Sequence, residues 1–153
     1  MSALRFWKMN GAGNDFVVLE AAALPSGAVG PRTAAALCDR RDGVGADGVL
    51  VVGTGDGGEV AVDSRNADGS VASFCGNGAR CAARFAVERG LSGPEPVLRF
   101  AGSSIPARID GDEVSIDVPR PAVLGTRRVE LADGGRTLTV STVRAGVDHL
   151  VVE

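Results

Sequence analysis

Residues 75–90 read Cys75-Gly76-Asn77-Gly78-Ala79-Arg80-Cys81-Ala82-Ala83-Arg84-Phe85-Ala86-Val87-Glu88-Arg89-Gly90. Within this stretch, residues 79–89 carry apolar side chains at helical spacing, with Cys81 and Phe85 on one face and charged side chains on the other. Gly90 is placed to end the helix, because glycine adopts the left-handed conformation of a helix cap without steric cost. The spacing therefore predicts a helix with one buried face.

Short strands are predicted on both sides of this helix. Residues 4–9 alternate as a half-buried strand, residues 16–19 form a continuous apolar run, and turn-forming residues 10–15 lie between them. A first helix is predicted over residues 31–41, with Pro31 in its first turn. Further strand-like runs lie at residues 49–52, 60–62, 97–100, 105–109, 114–118, 138–140 and 150–152. This order favours an α+β fold over a doubly wound parallel sheet.

The composition is that of an ordinary globular protein. The chain has 153 residues, of which 44% are apolar and 23% charged, and prolines and a glycine near residue 120 indicate a boundary there. A net charge of −3 without a basic cluster argues against a nucleic-acid partner, and no apolar run is long enough for a membrane span. No secretory or transit signal is apparent, so the cytoplasm is the expected compartment. Small molecules are the expected partners.

The start of the predicted helix combines a thiol with anion-binding groups. Cys75 directly precedes a glycine-rich turn, which places its sulfur near unpaired backbone N–H groups and the positive end of the helix dipole. Both features favour a thiolate. The amides of Gly76, Asn77 and Gly78 form a cradle for a carboxylate or phosphate. Anion recognition and a reactive thiol therefore coincide at this position.

Other thiol chemistries fit the sequence less well. Cys38 and Cys81 lie on the apolar faces of their helices and are interpreted as free core thiols. Five residues separate Cys75 from Cys81, which is too far for a short zinc-binding pair, and a cysteine phosphatase would need its arginine one residue after Arg80. A thiol protease needs a histidine, and His149 is the only one in the chain. His149 is either structural or the partner of a thiol.

Four segments together resemble, in order and spacing, the signature blocks of diaminopimelate epimerase. They are residues 8–16 (Lys8-Met9-Asn10-Gly11-Ala12-Gly13-Asn14-Asp15-Phe16), 38–48, 66–70 and 75–81, with a weaker match at residues 146–149. The resemblance implies a strongly curved, mostly antiparallel sheet wrapped around a central helix, with residues 79–89 as that helix. It also implies an amino-terminal domain over residues 1–119 and the incomplete beginning of a second domain over residues 120–153.

The same resemblance implies a reaction. In this family one thiolate removes the α-proton of an amino acid and a second thiol delivers a proton to the opposite face, without pyridoxal phosphate or metal. Cys75 matches the first thiol, and His149 matches the histidine that helps it to ionise. The positions that match substrate-binding residues are Asn14, Asn66, Gly76 and Asn77. No cofactor and no metal site are expected.

Two positions depart from the family pattern. Asn10 stands where the family usually has a histidine, and the last block, usually Gly-Asn-Pro-His, reads Gly146-Val147-Asp148-His149. The usual asparagine helps to hold the distal end of diaminopimelate, and Val147 cannot make the hydrogen bonds of that amide. An amino acid other than diaminopimelate is therefore a possible substrate.

The family places its active site between two similar domains, and its second thiol, a glutamate and an arginine come from the second domain. No residues of this chain match those three groups. One hypothesis is a split epimerase, in which a second chain supplies the carboxy-terminal half and forms a heterodimer. A second is a catalytically inactive amino-acid-binding or regulatory module. A third is that the chain is a fragment of a longer enzyme.

Overall fold

In a computed structural model, which describes residues 4–132 and 135–152, the chain divides after Asp117 into two compact units. The first unit contains β1 (Trp7–Gly11), β2 (Asn14–Glu20), α1 (Pro31–Cys38), β3 (Gly48–Thr54), β4 (Val60–Asn66), α2 (Gly76–Glu88), β5 (Val97–Phe100), β6 (Ser103–Asp110) and β7 (Glu113–Ile116). The second contains β8 (Ala122–Glu130), β9 (Thr137–Ala145) and β10 (Val147–Val152). Among the described residues, no helix has the length and apolar character needed to span a membrane.

The first unit is one curved sheet with its strands in chain order, from β1 to β7. The pairs β2–β3 and β4–β5 are parallel and the other four pairs are antiparallel. Each parallel pair is joined through a helix, α1 for the first and α2 for the second, as a parallel connection requires. Helix α2 contacts all seven strands. The predicted α+β fold, a mostly antiparallel sheet wrapped around a central helix, is confirmed.

Strand β2 is buried on both faces, which explains its continuous apolar run. Phe16 and Val18 belong to the core around α2, whereas Val17 and Leu19 belong to a second core against α1. Successive side chains of a strand point to opposite faces, so a strand between two helices has no polar face. The two cores hold β2 rigidly, and the residues just before Phe16 are therefore well placed to carry a site.

Helix α2 begins at Gly76, three residues earlier than predicted. Cys75 is its N-cap residue, and its sulfur accepts a hydrogen bond from the Gly78 N–H at 3.3 Å. The predicted carboxy-terminal stop at Gly90 is confirmed, with a φ of 69° and a 2.8 Å bond from the Leu91 N–H to the Ala86 carbonyl. Glycines in the first turn, which lower helix propensity, are tolerated because the cysteine caps the turn.

Helix α1 ends at Cys38, three residues before the predicted end. The Asp39 carboxylate accepts the N–H groups of Arg41 and Asp42, both at 2.8 Å, and these bonds compete with continued helix. The predicted turn at residues 10–15 is also shorter, since β1 and β2 extend to Gly11 and Asn14 and leave a two-residue hairpin loop.

The second unit is a three-stranded antiparallel sheet in the order β10-β9-β8. Its predicted strands at residues 138–140 and 150–152 lie within β9 and β10. Strand β8 was not predicted, because Gly125 indicated a boundary. In the structure that glycine follows a register shift between Val123 and Gly125, and most of the strand is exposed on both faces. A strand with no buried face has no alternating pattern to detect.

Candidate active site

Cys75 lies at the amino terminus of α2, where its half-buried thiol adjoins the first backbone amides of the helix. A Cβ on Gly78 would lie 3.5 Å from the Cys75 sulfur and 3.4 Å from the Leu50 side chain, at ordinary van der Waals distance, so the first turn of the helix packs closely around the thiol. Helix geometry leaves the N–H groups of Gly76 and Asn77 without acceptors inside the helix. The predicted thiol and anion-binding amides are therefore adjacent in the structure.

The hairpin between β1 and β2 brings Asn14 to the same place. The Asn77 side-chain amide donates to the Asn14 Oδ1 at 2.7 Å. Strand β1 passes so close to the helix that a Cβ on Gly11 would lie 2.8 Å from the Asn77 carbonyl oxygen. Three of the four predicted substrate-binding residues, Asn14, Gly76 and Asn77, thus gather beside Cys75.

Asn14 also contacts an ionic cluster that the sequence did not single out. Its Nδ2 donates to Asp47 at 3.0 Å, and Arg40 bridges Asp47 and Asp15 at 2.9 and 2.8 Å. Lys8 contacts Asp15 at 2.7 Å and also donates to the Gly45 carbonyl. The cluster connects the ends of β1, β2 and β3 and fixes the hairpin that carries Asn14.

The cluster keeps its carboxylates ionised. Hydrogen bonds from Arg40, and then from Lys8, hold the pKa of Asp15 far below its usual range. The pKa of Asp47 is lowered as well, chiefly by the hydrogen bond from Asn14 and by the Asp15 N–H. Both groups therefore remain anionic, and act as hydrogen-bond acceptors, across the neutral range.

On the other side of Asn77, Arg80 donates a hydrogen bond to the Asn77 Oδ1. Sequence reasoning assigned no role to five of these residues: Lys8, Asp15, Arg40, Asp47 and Arg80. All five lie inside the segments 8–16, 38–48 and 75–81 that carry the family resemblance. Their position inside these segments was the feature of the sequence that could have identified them.

Asn66, the fourth predicted substrate-binding residue, ends β4. It is aligned with Gly48 of β3, which in turn pairs with Phe16, so Asn66 lies at the sheet edge from which Asn14 also projects. Its amide donates to the Ser70 Oγ at 2.9 Å, and it is exposed. The structure thus places Asn66 at the same end of the sheet as Asn14 but in its own turn, outside the hydrogen-bonded Asn14–Asn77 pair.

Cys38 and Cys81 are core thiols, as predicted, and each is 4% exposed. Burial raises the pKa of Cys81 to about 11 and also raises that of Cys38. His149 lies exposed on β10 of the second unit, opposite Val143. Its predicted role toward Cys75 stays a prediction.

The sequence profile described as Diaminopimelate epimerase matches residues 6–119, which include the whole Cys75 cluster. The chain belongs to the diaminopimelate epimerase family. The diaminopimelate epimerase of Synechococcus sp. (strain JA-3-3Ab) is 37% identical over 99% of this chain and 59% of its own length. That of Acidiphilium cryptum (strain JF-5) is 40% identical over 92% of this chain and 50% of its own length. The chain thus spans between half and three-fifths of these relatives.

Solved structures of more distant proteins share the fold. A hydroxyproline epimerase from Agrobacterium vitis, with bound trans-4-hydroxy-L-proline, superposes with a TM-score of 0.71 at 14% identity, over 98% of this chain and 51% of that one. A PhzF-family phenazine biosynthesis protein from Bacillus anthracis gives a TM-score of 0.67 at 16% identity, over 99% and 56%. At these identities the likeness concerns the fold alone.

Proposed function

We propose that this chain supplies the first half of a cofactor-independent amino-acid epimerase, with Cys75 as one of two proton-transferring thiols. The observation that carries the proposal is the position of Cys75 as the cap of α2, beside backbone amides and the Asn14–Asn77 pair. Membership of the diaminopimelate epimerase family supports isomerase chemistry for this cluster.

In the proposed reaction the α-carboxylate of an amino acid binds the Gly76 and Asn77 amides. The Cys75 thiolate takes the α-proton and becomes a thiol, while the electron pair of the broken C–H bond spreads onto the carboxylate. Donors that hold the carboxylate stabilise this charge as it develops. A second thiol then gives its proton to the opposite face of the carbon, which inverts the centre. His149 helps Cys75 to ionise, and Asn66 contacts the substrate from the end of β4.

The second thiol is proposed to come from a complementary half. The chain matches 59% or less of the two relatives described above, and it has no residue matching the second cysteine of the family. That half is a separate chain, so that the active form is a heterodimer, or the remainder of a longer polypeptide. The substrate class is an amino acid, and Val147 in place of the usual asparagine favours one other than diaminopimelate.

Exchange of the α-proton with solvent tests the proposal. The chain is mixed with the carboxy-terminal part of the Synechococcus relative in D₂O, and amino acids are followed by proton NMR for loss of the α-proton signal. We expect exchange with the native chain, none with Cys75→Ala, and unchanged exchange with Cys38→Ala as a control for loss of a thiol. Exchange that persists in Cys75→Ala would contradict the assignment.

A second candidate function is an inactive amino-acid-binding or regulatory module of the same fold. It is favoured by the single partly exposed thiol, since the other two cysteines are buried. Alkylation by iodoacetamide at pH 7 separates the two functions. An epimerase subunit should show one fast-reacting thiol that disappears in Cys75→Ala. A Cys75 that reacts no faster than free glutathione would favour the inert module.

A further inference from the structure

Two side-chain amides of the site form a continuous hydrogen-bonded chain with an ionic group at each end. Arg80 donates to the Asn77 Oδ1, the Asn77 Nδ2 donates to the Asn14 Oδ1 at 2.7 Å, and the Asn14 Nδ2 donates to the Asp47 Oδ2 at 3.0 Å. We refer to Arg80, Asn77, Asn14 and Asp47 as the amide chain. Every bond in it runs in the same direction, from the guanidinium to the carboxylate.

The two ends of the amide chain differ in their hydrogen-bonding groups. A guanidinium has only donors and an ionised carboxylate has only acceptors, whereas an asparagine amide has both and can turn over by 180°. If the Asn77 amide turned over, its NH₂ would face the Arg80 donor. If the Asn14 amide turned over, its oxygen would face the Asp47 carboxylate. Each reversed arrangement places like groups together, so the ends permit only one orientation of the two amides.

The carboxylate end is itself fixed. Asp47 accepts the Asp15 N–H at 3.2 Å on the oxygen that binds Asn14, and Arg40 at 2.9 Å on its other oxygen. Arg40 in turn holds Asp15 with two hydrogen bonds, at 3.1 and 2.8 Å. Asp47 therefore cannot rotate away from Asn14 without breaking the contacts between β2 and the segment before β3.

We infer that Asp47 and Arg80 are positioning residues, which together set the direction of the Asn14 and Asn77 amides that the substrate meets. The expected effect on substrate binding rests on the proposed function, whereas the hydrogen bonds of the amide chain do not. In the observed direction, each NH₂ group donates one N–H within the amide chain, and its second N–H can donate to a substrate oxygen. The pair is therefore preset to receive a carboxylate, before any ligand arrives. Preset donors cost no reorganisation on binding.

Loss of Asp47 or Arg80 should let the Asn14 and Asn77 amides turn more freely without unfolding the chain. Asp47→Asn replaces the acceptor-only carboxylate by an amide that accepts or donates, so Asn14 is no longer held in one direction. The change also replaces a charge-assisted hydrogen bond by a neutral one. We expect it to weaken substrate binding on the order of tenfold, because charge-assisted bonds are about twice as strong as neutral ones.

The side-chain NMR spectrum tests the geometry without any ligand. The chain has four asparagines and no glutamine, so its ¹⁵N side-chain amide region contains only four NH₂ pairs. In the native chain the hydrogen-bonded proton of the Asn14 pair and that of the Asn77 pair should exchange slowly with solvent. Asp47→Asn and Arg80→Gln should each speed the exchange of both pairs severalfold. Matched controls are Asp63→Asn, in a half-exposed ion pair with Arg65 at 3.7 Å, and Arg84→Gln, one turn further along α2.

Unchanged Asn14 and Asn77 exchange in Asp47→Asn, or the same acceleration in both controls, would overturn the inference. The complemented enzyme supplies the second measurement. Asp47→Asn should raise KM for the amino acid about tenfold, with kcat changed less, and Arg80→Lys should retain more affinity than Arg80→Gln. A KM unchanged by Asp47→Asn would also overturn it. If the native enzyme exchanges no amino acid, the proposed function fails, and the NMR spectra still decide whether the ends position the amides.

Discussion

Asp15 is the residue on which the ionic contacts of the site converge. Its carboxylate binds Lys8 and Arg40 and also accepts the Asp47 N–H at 3.1 Å. Its side chain is only 22% exposed, so solvent screens these contacts less than those of a surface pair. The residue itself is the last of the hairpin segment before the buried run of β2. A protonated Asp15 would lose the negative charge that organises both Arg40 and Lys8.

Stability should therefore decrease in acid through Asp15. The folded-state pKa of this carboxyl lies far below its ordinary value of 3.8, with hydrogen bonds from Arg40 as the largest cause. Below about pH 4 the unfolded chain binds a proton that the folded chain does not, so the free energy of unfolding falls as the pH falls. Stability from this group is fully present above that range. Urea unfolding between pH 3 and 7 measures the effect.

Asp15→Asn should reduce the slope of the unfolding free energy against pH. Below pH 4 the reduction should correspond to roughly one bound proton. The remaining slope comes from other carboxyls with lowered pKa, among them Asp39 and Asp47. The control is Asp63→Asn, which removes the same charge from a half-exposed side chain. An Asp15→Asn slope equal to that of the native chain would show that these contacts do not stabilise the fold.

At this scale the sequence indicated candidate site residues but not the contacts between them. The position of Cys75 before a helix, with the family resemblance, named Cys75, Asn14 and Asn77, which the structure brings together. Asp47 was assigned no role because its contact with Asn14 is not local in sequence. Arg80 contacts Asn77 within one helical turn, but that spacing alone does not single out the pair. Asp47 lies 33 residues from Asn14, and Asn77 lies 63 residues from Asn14. No spacing rule connects such residues before the sheet topology is known.

Among the structural elements, the turn after β4 packs a glycine tightly against the start of helix α1. Gly69 has a φ of +85°, and a Cβ there would lie 2.2 Å from the Pro31 carbonyl oxygen at the start of α1. The turn also holds Asn66 through its bonds to Ser70. This glycine therefore fixes the distance between α1 and the end of β4 that bears a predicted substrate-binding residue.

Gly69→Ala should destabilise the chain by about 2–4 kcal/mol, from overpacking together with a strained backbone. Gly27→Ala is the matched control, because Gly27 also has a positive φ, +71°, but has no atom within 4 Å of the added Cβ. It should cost only about 1 kcal/mol. Chemical denaturation of both variants gives the difference, which isolates the contact with Pro31. Equal losses would contradict the packing argument.

The α-helices and strands other than β8 were predicted in order and type, and the errors have physical causes. Helix α2 starts at Gly76 because a cysteine cap compensates for two glycines, which propensity alone disfavours. Helix α1 ends early because Asp39 binds the backbone beyond it. Strand β8 escaped prediction because its side chains are exposed on both faces. Hydrophobic periodicity detects elements that bury one face. It does not detect a helix end that is set by capping or a strand that is exposed on both faces.

For the whole molecule, the second unit presents apolar strands that the described residues leave exposed. Val123 is 68% exposed on β8, and Leu150 and Val152 are 66% and 56% exposed on β10. These two strands are the edges of the three-stranded sheet, so each pairs with β9 on one side only. Apolar edge strands are sites at which another chain adds a strand. We propose these edges as the pairing surface for the complementary half.

The isolated chain should therefore self-associate through the second unit. Val123→Lys and Leu150→Lys place a charge on the two edges, and lysine on an edge strand opposes pairing. We expect light scattering coupled to size exclusion, from about 10 to 100 μM, to show oligomers of the native chain and a shift toward monomer in both variants. Leu4→Lys changes another exposed leucine, in the first unit, and should leave the oligomers unchanged. A native chain that is monomeric throughout this range, or an equal effect of Leu4→Lys, would show that these edges do not drive association.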